Sequence, residues 1–168
     1  KKLYLTFDDG PVPEVTPWVL ERLGAFQAKA TFFCVGENVQ RHPAIFRQLL
    51  AEGHSAGNHT FNHLNGWHTE NLAYFHNIRH CARLVKSNLF RPPYGRLRPA
   101  QRAFLERHYR IVMWDVLSGD FDPYLSPEAC LENILANAQS GSIVVLHDSL
   151  KADTKLRFVL PRLLEHFS

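Results

Sequence analysis

The chain has 168 residues, enough to bury one hydrophobic core, and its 45% hydrophobic and 21% charged residues are typical of a folded globular domain. A formal net charge of +3, spread along the chain, argues against nucleic acid as a partner. No apolar stretch approaches the ~20 residues of a membrane-spanning helix, so we expect no transmembrane segment.

Apolar runs alternate with helix-length amphipathic segments. In chain order we predict a strand at 2–7, a helix at 16–26 with Thr16 as N-cap, a strand at 29–35, a helix at 38–51 and a short run at 54–58. A helix at 69–86, a strand at 89–93, a helix at 98–107, a strand at 109–116, a helix at 126–139, a strand at 142–148 and a helix at 155–167 follow. This alternation predicts an α/β fold with a parallel sheet of about six visible strands, too few for a full eight-stranded barrel.

The ends of the chain and its cysteines carry limited information. The chain begins inside an apparent strand, with no initiator methionine and no visible signal peptide. We therefore expect a single domain over residues 1–168, and both the trimming of its termini and its compartment stay open. Cys34, Cys81 and Cys130 form no CxxC pair and are predicted to be buried thiols.

The stretch LYLTFDDGP ends a predicted strand with two adjacent carboxylates, Asp8 and Asp9. Strand alternation sends neighbouring side chains to opposite faces, and a buried carboxylate needs a cation or a metal. In GNHTFNH, His59 and His63 are four residues apart, which predicts two imidazoles on one face of a helical turn. Two histidines and one carboxylate are a common catalytic zinc site, so one Asp is predicted to bind metal and its neighbour to act as a base. The HxxxH spacing alone is equally compatible with chance among ten histidines.

Two more polar residues stand at predicted strand ends, where an α/β barrel carries its functional groups. Arg91 in FRPPYG can pair with a carboxylate and orient it, although a surface arginine before a proline turn is the alternative. His147 in IVVLHDS suits a general acid because its pKa lies near neutrality, with a structural histidine as the alternative.

Five segments in order, TFDDGP, HTFNH, RPPYG, DVLSGDF and VLHDS, resemble the successive motifs of the polysaccharide deacetylase family, the NodB-homology domain or carbohydrate esterase family 4. They run from residue 6 to residue 149, nearly the whole chain. The resemblance implies an irregular, incomplete (β/α) barrel of about six to seven parallel strands, a deformed TIM barrel.

The resemblance also implies a metal-dependent hydrolase that removes N-acetyl groups from sugar polymers of peptidoglycan or chitin type and releases acetate. One divalent metal ion is implied, most often zinc, with cobalt or nickel as alternatives. The implied metal ligands are Asp9, His59 and His63. The implied catalytic residues are Asp8 as general base towards metal-activated water, Arg91 orienting it, His147 as general acid and Asp120 paired with that histidine.

Substrate contacts are implied for Pro92, Tyr94, Phe121 and Leu146. The backbone N–H of Tyr94 would stabilise the oxyanion, and Leu146 would line the pocket for the acetyl methyl group. Phe121 stands where the family often has Trp, and Leu117 where it often has Asp, which leaves substrate preference open. Trp114, in a predicted strand, is expected to belong to the core.

Two alternatives differ from this prediction. The same metal, base and acid would suit another, non-sugar amide. A carbohydrate-binding pseudoenzyme is the alternative from another class, although such proteins usually lose a ligand or the base and none is lost here. We expect a monomer acting on an N-acetylated polysaccharide or oligosaccharide. Family members often act at the cell envelope or outside the cell.

Overall fold

A computed structural model describes residues 2–168 of the chain. Within that range strands and helices alternate, except for two consecutive helices within residues 36–51 and two consecutive strands within residues 110–117, and 3₁₀ turns lie at Gly66–His68 and Pro93–Gly95. The strands are β1 (Tyr4–Asp8), β2 (Thr31–Cys34), β3 (Ser55–Asn58), β4 (Leu89–Phe90), β5 (Arg110–Ile111), β6 (Val116–Leu117) and β7 (Ile143–His147). The helices are α1 (Val15–Ala25), α2 (Gly36–Arg41), α3 (Pro43–Ala51), α4 (Asn71–Ala82), α5 (Pro99–Leu105), α6 (Pro127–Asn137) and α7 (Asp153–Phe167).

The strands form one sheet in the order β5-β4-β3-β2-β1-β7-β6, and all six neighbouring pairs are parallel. Asp8 pairs in register with Phe33 of β2 on one side and with His147 of β7 on the other. The carboxyl ends of these strands therefore meet at one edge of the sheet. The predicted incomplete barrel of parallel strands is confirmed.

The segment predicted as one strand at 109–116 is instead two short strands, β5 and β6, at opposite edges of the sheet. Only residues 112–115 separate them, a length of chain that spans about 18 Å at most. The two edges must therefore approach each other, which curls the sheet into a half-barrel. The prediction of one continuous strand was wrong because the middle of this apolar run, residues 112–115, connects the two edges of the sheet instead of continuing a strand.

Two helix predictions also need correction. The helix predicted at 38–51 is two helices, α2 and α3, because Pro43 cannot donate the backbone hydrogen bond that would continue α2. Thr16 is not an N-cap but lies within α1, where its side chain is fully buried. Its hydroxyl accepts a hydrogen bond from the Val12 N–H and donates one to Asp148.

The main core lies between the sheet and the helices packed on its outer face. In β1 and β7, Phe7, Val144 and Leu146 belong to this core, and α7 adds Leu156 and Leu160. The three cysteines are free and buried, as predicted. Among residues 2–168, no helix is long and apolar enough to cross a membrane.

Candidate active site

Asp8 and Asp9 reach the same site because β1 ends between them. Asp8 is the last residue of β1 and, like Thr6 two residues earlier, contacts the Arg91 side chain. Asp9 follows with a φ of 86°, a left-handed conformation that is uncommon outside glycine but tolerated by aspartate. This change of backbone direction, rather than strand alternation, determines where the Asp9 carboxylate lies.

Asp9, His59 and His63 bring three potential metal-ligating atoms within 4.8 Å of one another. Asp9 Oδ1 lies 3.1 Å from His63 Nε2 and 3.4 Å from His59 Nε2. His59 is buried, whereas His63 and Asp9 are each partly open to the pocket. These are the three residues that the sequence predicts as metal ligands.

The hydrogen bonding of this cluster fits a metal ion. Asp9 Oδ1 is buried and has no hydrogen-bond partner among the described residues. His59 Nδ1 lies 2.7 Å from the Arg91 carbonyl oxygen, which can only accept, so Nδ1 donates and Nε2 keeps its lone pair. An ionised carboxylate beside an imidazole lone pair needs a cation, so the donor set fits a divalent metal.

The two histidines do not lie on a helical turn, contrary to the prediction from their spacing. Residues 59–63 form an irregular turn after β3, in which Thr60 and His63 have φ values of 63° and 57°. The Asn77 side-chain oxygen accepts hydrogen bonds from the backbone N–H groups of Phe61 and Asn62 at 2.8 and 3.0 Å. Side-chain contacts to the backbone therefore hold this turn in place of helical hydrogen bonds.

Arg91 is fully buried and donates to four acceptors. Its Nη1 contacts Asp8 Oδ1 at 2.8 Å and Thr6 Oγ1 at 2.7 Å. Its Nε donates to the Val112 carbonyl and its Nη2 to the Met113 carbonyl, both at 3.0 Å. Both carbonyls belong to the segment that connects the two edges of the half-barrel. Burial lowers the pKa of Arg91, and Asp8 opposes that change. Arg91 therefore fixes one oxygen of Asp8, and the other lies 3.9 Å from His59 Nε2.

His147 ends β7 and pairs with the fully buried Asp120. His147 Nδ1 lies 2.7 Å from Asp120 Oδ1, and the His147 backbone N–H donates to Asp120 Oδ2 at 2.8 Å. Burial alone would lower the pKa of His147, but Asp120 outweighs burial and raises it to about 9. The His147 imidazole therefore stays protonated at neutral pH, as a general acid must.

These groups meet in a cavity of about 460 Å³ lined by Asp8, Asp9, His59, His63 and His147, with Pro92, Tyr94 and Phe121 among its walls. Leu146, predicted to line the pocket, lies instead in the outer core and is fully buried. Strand alternation explains the difference, because the residues on either side of Leu146, Val145 and His147, are those of β7 that line the cavity.

Comparisons with known proteins agree with this arrangement. The sequence profile of the family described as polysaccharide deacetylase matches residues 1–109. A peptidoglycan-N-acetylglucosamine deacetylase of Bacillus cereus is 40% identical over 158 residues, 88% of this chain and 73% of the relative. A chitooligosaccharide deacetylase of Azorhizobium caulinodans is 36% identical over 160 residues, 90% of this chain and 75% of the relative.

The chain belongs to the polysaccharide deacetylase family.

Solved structures agree with this membership. The crystal structure of Bc1960, a peptidoglycan N-acetylglucosamine deacetylase, is 31% identical and superposes with a TM-score of 0.86, covering 99% of this chain and 83% of that one. Carbohydrate esterases of family 4 are metal-dependent in general, and Asp9, His59 and His63 form a possible metal site of this polysaccharide deacetylase.

Sequence reasoning missed five lining residues of this deacetylase's pocket: Arg96, Trp114, Val145, Ser149 and Lys151. Val145 is recoverable from the sequence, because alternation places the residue two before His147 on the same face. Trp114 was expected in the core, but it lies in the connection between β5 and β6, with the Arg91 guanidinium 5.5 Å from its ring. Leu117 and Phe121, where this chain departs from the family motif, both line the pocket.

Proposed function

We propose that this polysaccharide deacetylase removes N-acetyl groups from polymers of N-acetylglucosamine, of peptidoglycan or chitin type, with the help of one divalent metal ion. The observation that carries the proposal is the convergence of three kinds of group in one pocket. These are a possible metal site, a carboxylate paired with arginine, and a histidine paired with aspartate. The similarity to peptidoglycan and chitooligosaccharide deacetylases supports the choice of substrate.

Asp9, His59 and His63 are the proposed ligands, and zinc is the proposed metal because two imidazoles and one carboxylate with an open position suit it. Cobalt or nickel would also suit these ligands. When bound, such a cation supplies Lewis-acid polarisation of the acyl carbonyl and lowers the pKa of water. The hydrogen bond from His59 to the Arg91 carbonyl orients the buried His59 imidazole without a bound metal.

Asp8 is the proposed general base. Its Oδ1 is bound by Arg91, and Oδ2 remains available on the side of the metal cluster. The buried guanidinium fixes the position of the carboxylate, so that its other oxygen can accept the proton of the attacking water. Arg91 is thus a positioning residue for the base.

His147 is the proposed general acid, which gives a proton to the amine that leaves the sugar. An amide nitrogen is a poor leaving group unless it is protonated as the carbon–nitrogen bond breaks. Asp120 binds Nδ1, so Nε2 is the nitrogen that carries the donated proton. The same pairing raises the pKa of His147 to about 9, which keeps the acid form present at neutral pH.

Pro92, Tyr94 and Phe121 are the proposed substrate-binding residues. Tyr94 is 60% exposed and packs against His63, with ring centroids 4.8 Å apart, so a sugar beside the metal site would meet its ring. The Tyr94 backbone N–H is the proposed oxyanion donor, a contribution worth a factor of about 10² to 10³ in rate at comparable sites. Phe121 packs edge-on against His147 at 5.3 Å and would border the leaving amine.

The test compares acetate release by the wild type with that of Asp8→Asn and His147→Gln, using N-acetylglucosamine oligomers, peptidoglycan and a panel of non-sugar amides. Both variants should lose most turnover and keep their metal content. Glu165→Gln and His166→Gln change exposed residues of α7 and serve as matched controls with unchanged turnover. Activity on non-sugar amides alone would overturn the substrate assignment. Unchanged turnover in Asp8→Asn would exclude Asp8 as the base.

A further inference from the structure

Asp148 is a buried carboxylate that the proposed chemistry does not use. It follows His147 directly, is 1% exposed and does not line the cavity. Both of its carboxylate oxygens accept hydrogen bonds. Oδ1 accepts from the Gly10 backbone N–H at 3.2 Å, and Oδ2 accepts from the Thr16 hydroxyl at 2.7 Å.

Asp148 forms hydrogen bonds with both sequence neighbours of Asp9, which are Asp8 and Gly10. The Asp148 backbone N–H donates to the carbonyl of Asp8 at 3.2 Å, and the Asp148 side chain binds the N–H of Gly10. One residue of the β7 end therefore binds the residue before Asp9 and the residue after it. Asp9 itself has a φ of 86°, which an aspartate adopts only where its surroundings favour it.

The space around Gly10 is matched to this carboxylate. A Cβ atom on Gly10 would lie 2.0 Å from Asp148 Oδ2, so only glycine lets the backbone approach so closely. Thr16 extends the connection, since its hydroxyl accepts from the Val12 N–H at 2.8 Å while it donates to Asp148. The loop after Asp9 is thus joined through Asp148 to both β7 and the first turn of α1.

We propose that Asp148 is a positioning residue for the metal site, which sets the direction of the Asp9 carboxylate by fixing the backbone at Gly10. The inference rests on the proposed metal-binding role of Asp9. Asp148 does not line the cavity, so its effect reaches the site through the Asp8–Gly10 backbone. Outer partners of metal ligands typically change metal affinity by about 10- to 100-fold when they are removed.

The test measures the zinc dissociation constant of metal-stripped protein for Asp148→Ala and Asp148→Asn. The alanine variant loses the acceptor for Gly10 and should bind zinc about 10- to 100-fold more weakly. Asparagine keeps one oxygen for Gly10 and can turn its amide group to Thr16, so it should restore most of the affinity. Thr16→Val leaves the Asp148 acceptor for Gly10 in place but removes the hydroxyl that binds both Asp148 and the Val12 N–H, so we expect an intermediate loss of zinc affinity. This variant also serves if the alanine variant does not fold.

A control separates positioning from general loss of stability. Val19→Ala alters a fully buried residue on the same helix as Thr16, so it should lower the unfolding temperature without changing zinc affinity. Wild-type zinc affinity in both Asp148→Ala and Thr16→Val would overturn the proposal. A loss of affinity in Val19→Ala equal to that of Asp148→Ala would also overturn it, because stability alone would then explain the effect.

A metal-free readout distinguishes failure of this inference from failure of the proposed function. The Gly10 amide hydrogen should exchange slowly with solvent in the metal-stripped wild type and at least about 10-fold faster in Asp148→Ala. If the wild type binds no metal, the proposed function fails, whereas faster exchange would still support Asp148 as the residue that fixes Gly10. Unchanged exchange at Gly10 would refute the positioning role whatever the metal result.

Discussion

Replacing Arg91 with methionine leaves the buried Asp8 carboxylate without its ionic partner. Asp8 is 4% exposed and Arg91 is fully buried, so water cannot take the place of the lost guanidinium without rearrangement. The carbonyl groups of Val112 and Met113 lose their donors in the same change. Removing one member of a buried ion pair typically costs about 3–5 kcal/mol of unfolding free energy. In a chain of this size that loss lowers the unfolding temperature by roughly 6–20 °C.

The assay is urea unfolding of metal-stripped protein, followed by circular dichroism, for Arg91→Met, Asp8→Asn and the double variant. The double variant should lose less stability than the sum of the two single changes, because the second change removes the charge that the first leaves unpaired. Arg102→Met is the matched control, since its pair with Glu106 is 2.6 Å long but largely exposed and should contribute at most about 1 kcal/mol. An Arg91→Met loss no larger than that of Arg102→Met would refute the reasoning.

Three further changes test other parts of the site. Asp120→Asn should move the alkaline limb of the kcat/KM profile to lower pH by about one unit or more, because Asp120 raises the pKa of His147 and the acid form is lost sooner without it. Gly10→Ala should lower the unfolding free energy by about 1–3 kcal/mol in urea unfolding, since its Cβ would overlap Asp148. His63→Ala should reduce zinc content well below one equivalent by elemental analysis, because it removes one of three ligands.

Each of these has a result that would contradict it. An unchanged alkaline limb in Asp120→Asn would mean that His147 is not the group titrating there. A Gly10→Ala protein as stable as the wild type would show that the loop can move away from Asp148 at little cost. Full zinc content in His63→Ala, matched by His166→Ala as a control, would exclude His63 as a ligand.

The sequence predicted the parallel sheet, and it singled out polar residues that meet in one pocket, because both features depend on local patterns. Apolar runs mark strands, and polar residues at their ends must meet at one edge when neighbouring strands are parallel. Asp8 and His147 illustrate this, since they are register partners on adjacent strands. Residue type and spacing pointed to His59, His63 and one of the two aspartates, the family resemblance assigned Asp9 as the ligand, and these three residues do converge.

Other features depend on backbone conformation and on contacts distant in sequence. The His59–His63 spacing suggested a helical turn, but positive φ values at Thr60 and His63 produce the convergence instead. The run at 109–116 reads as one strand because nothing local distinguishes a strand from a connection that crosses between sheet edges. Leu146 was assigned to the pocket by resemblance, whereas alternation from His147 places it in the core. The contact of Asp148 with Gly10 joins residues 138 positions apart, which a single sequence does not reveal.

The central claim is metal-dependent N-deacetylation, and the most direct measurement is acetate release from N-acetylglucosamine oligomers by metal-stripped protein, with and without one equivalent of zinc. The proposed function predicts release that depends on added zinc, that cobalt also restores, and that Asp8→Asn abolishes at unchanged metal content. Equal release with and without metal would contradict the role of Asp9, His59 and His63. No release from oligomers or peptidoglycan by protein that has bound one equivalent of zinc would contradict the glycan assignment.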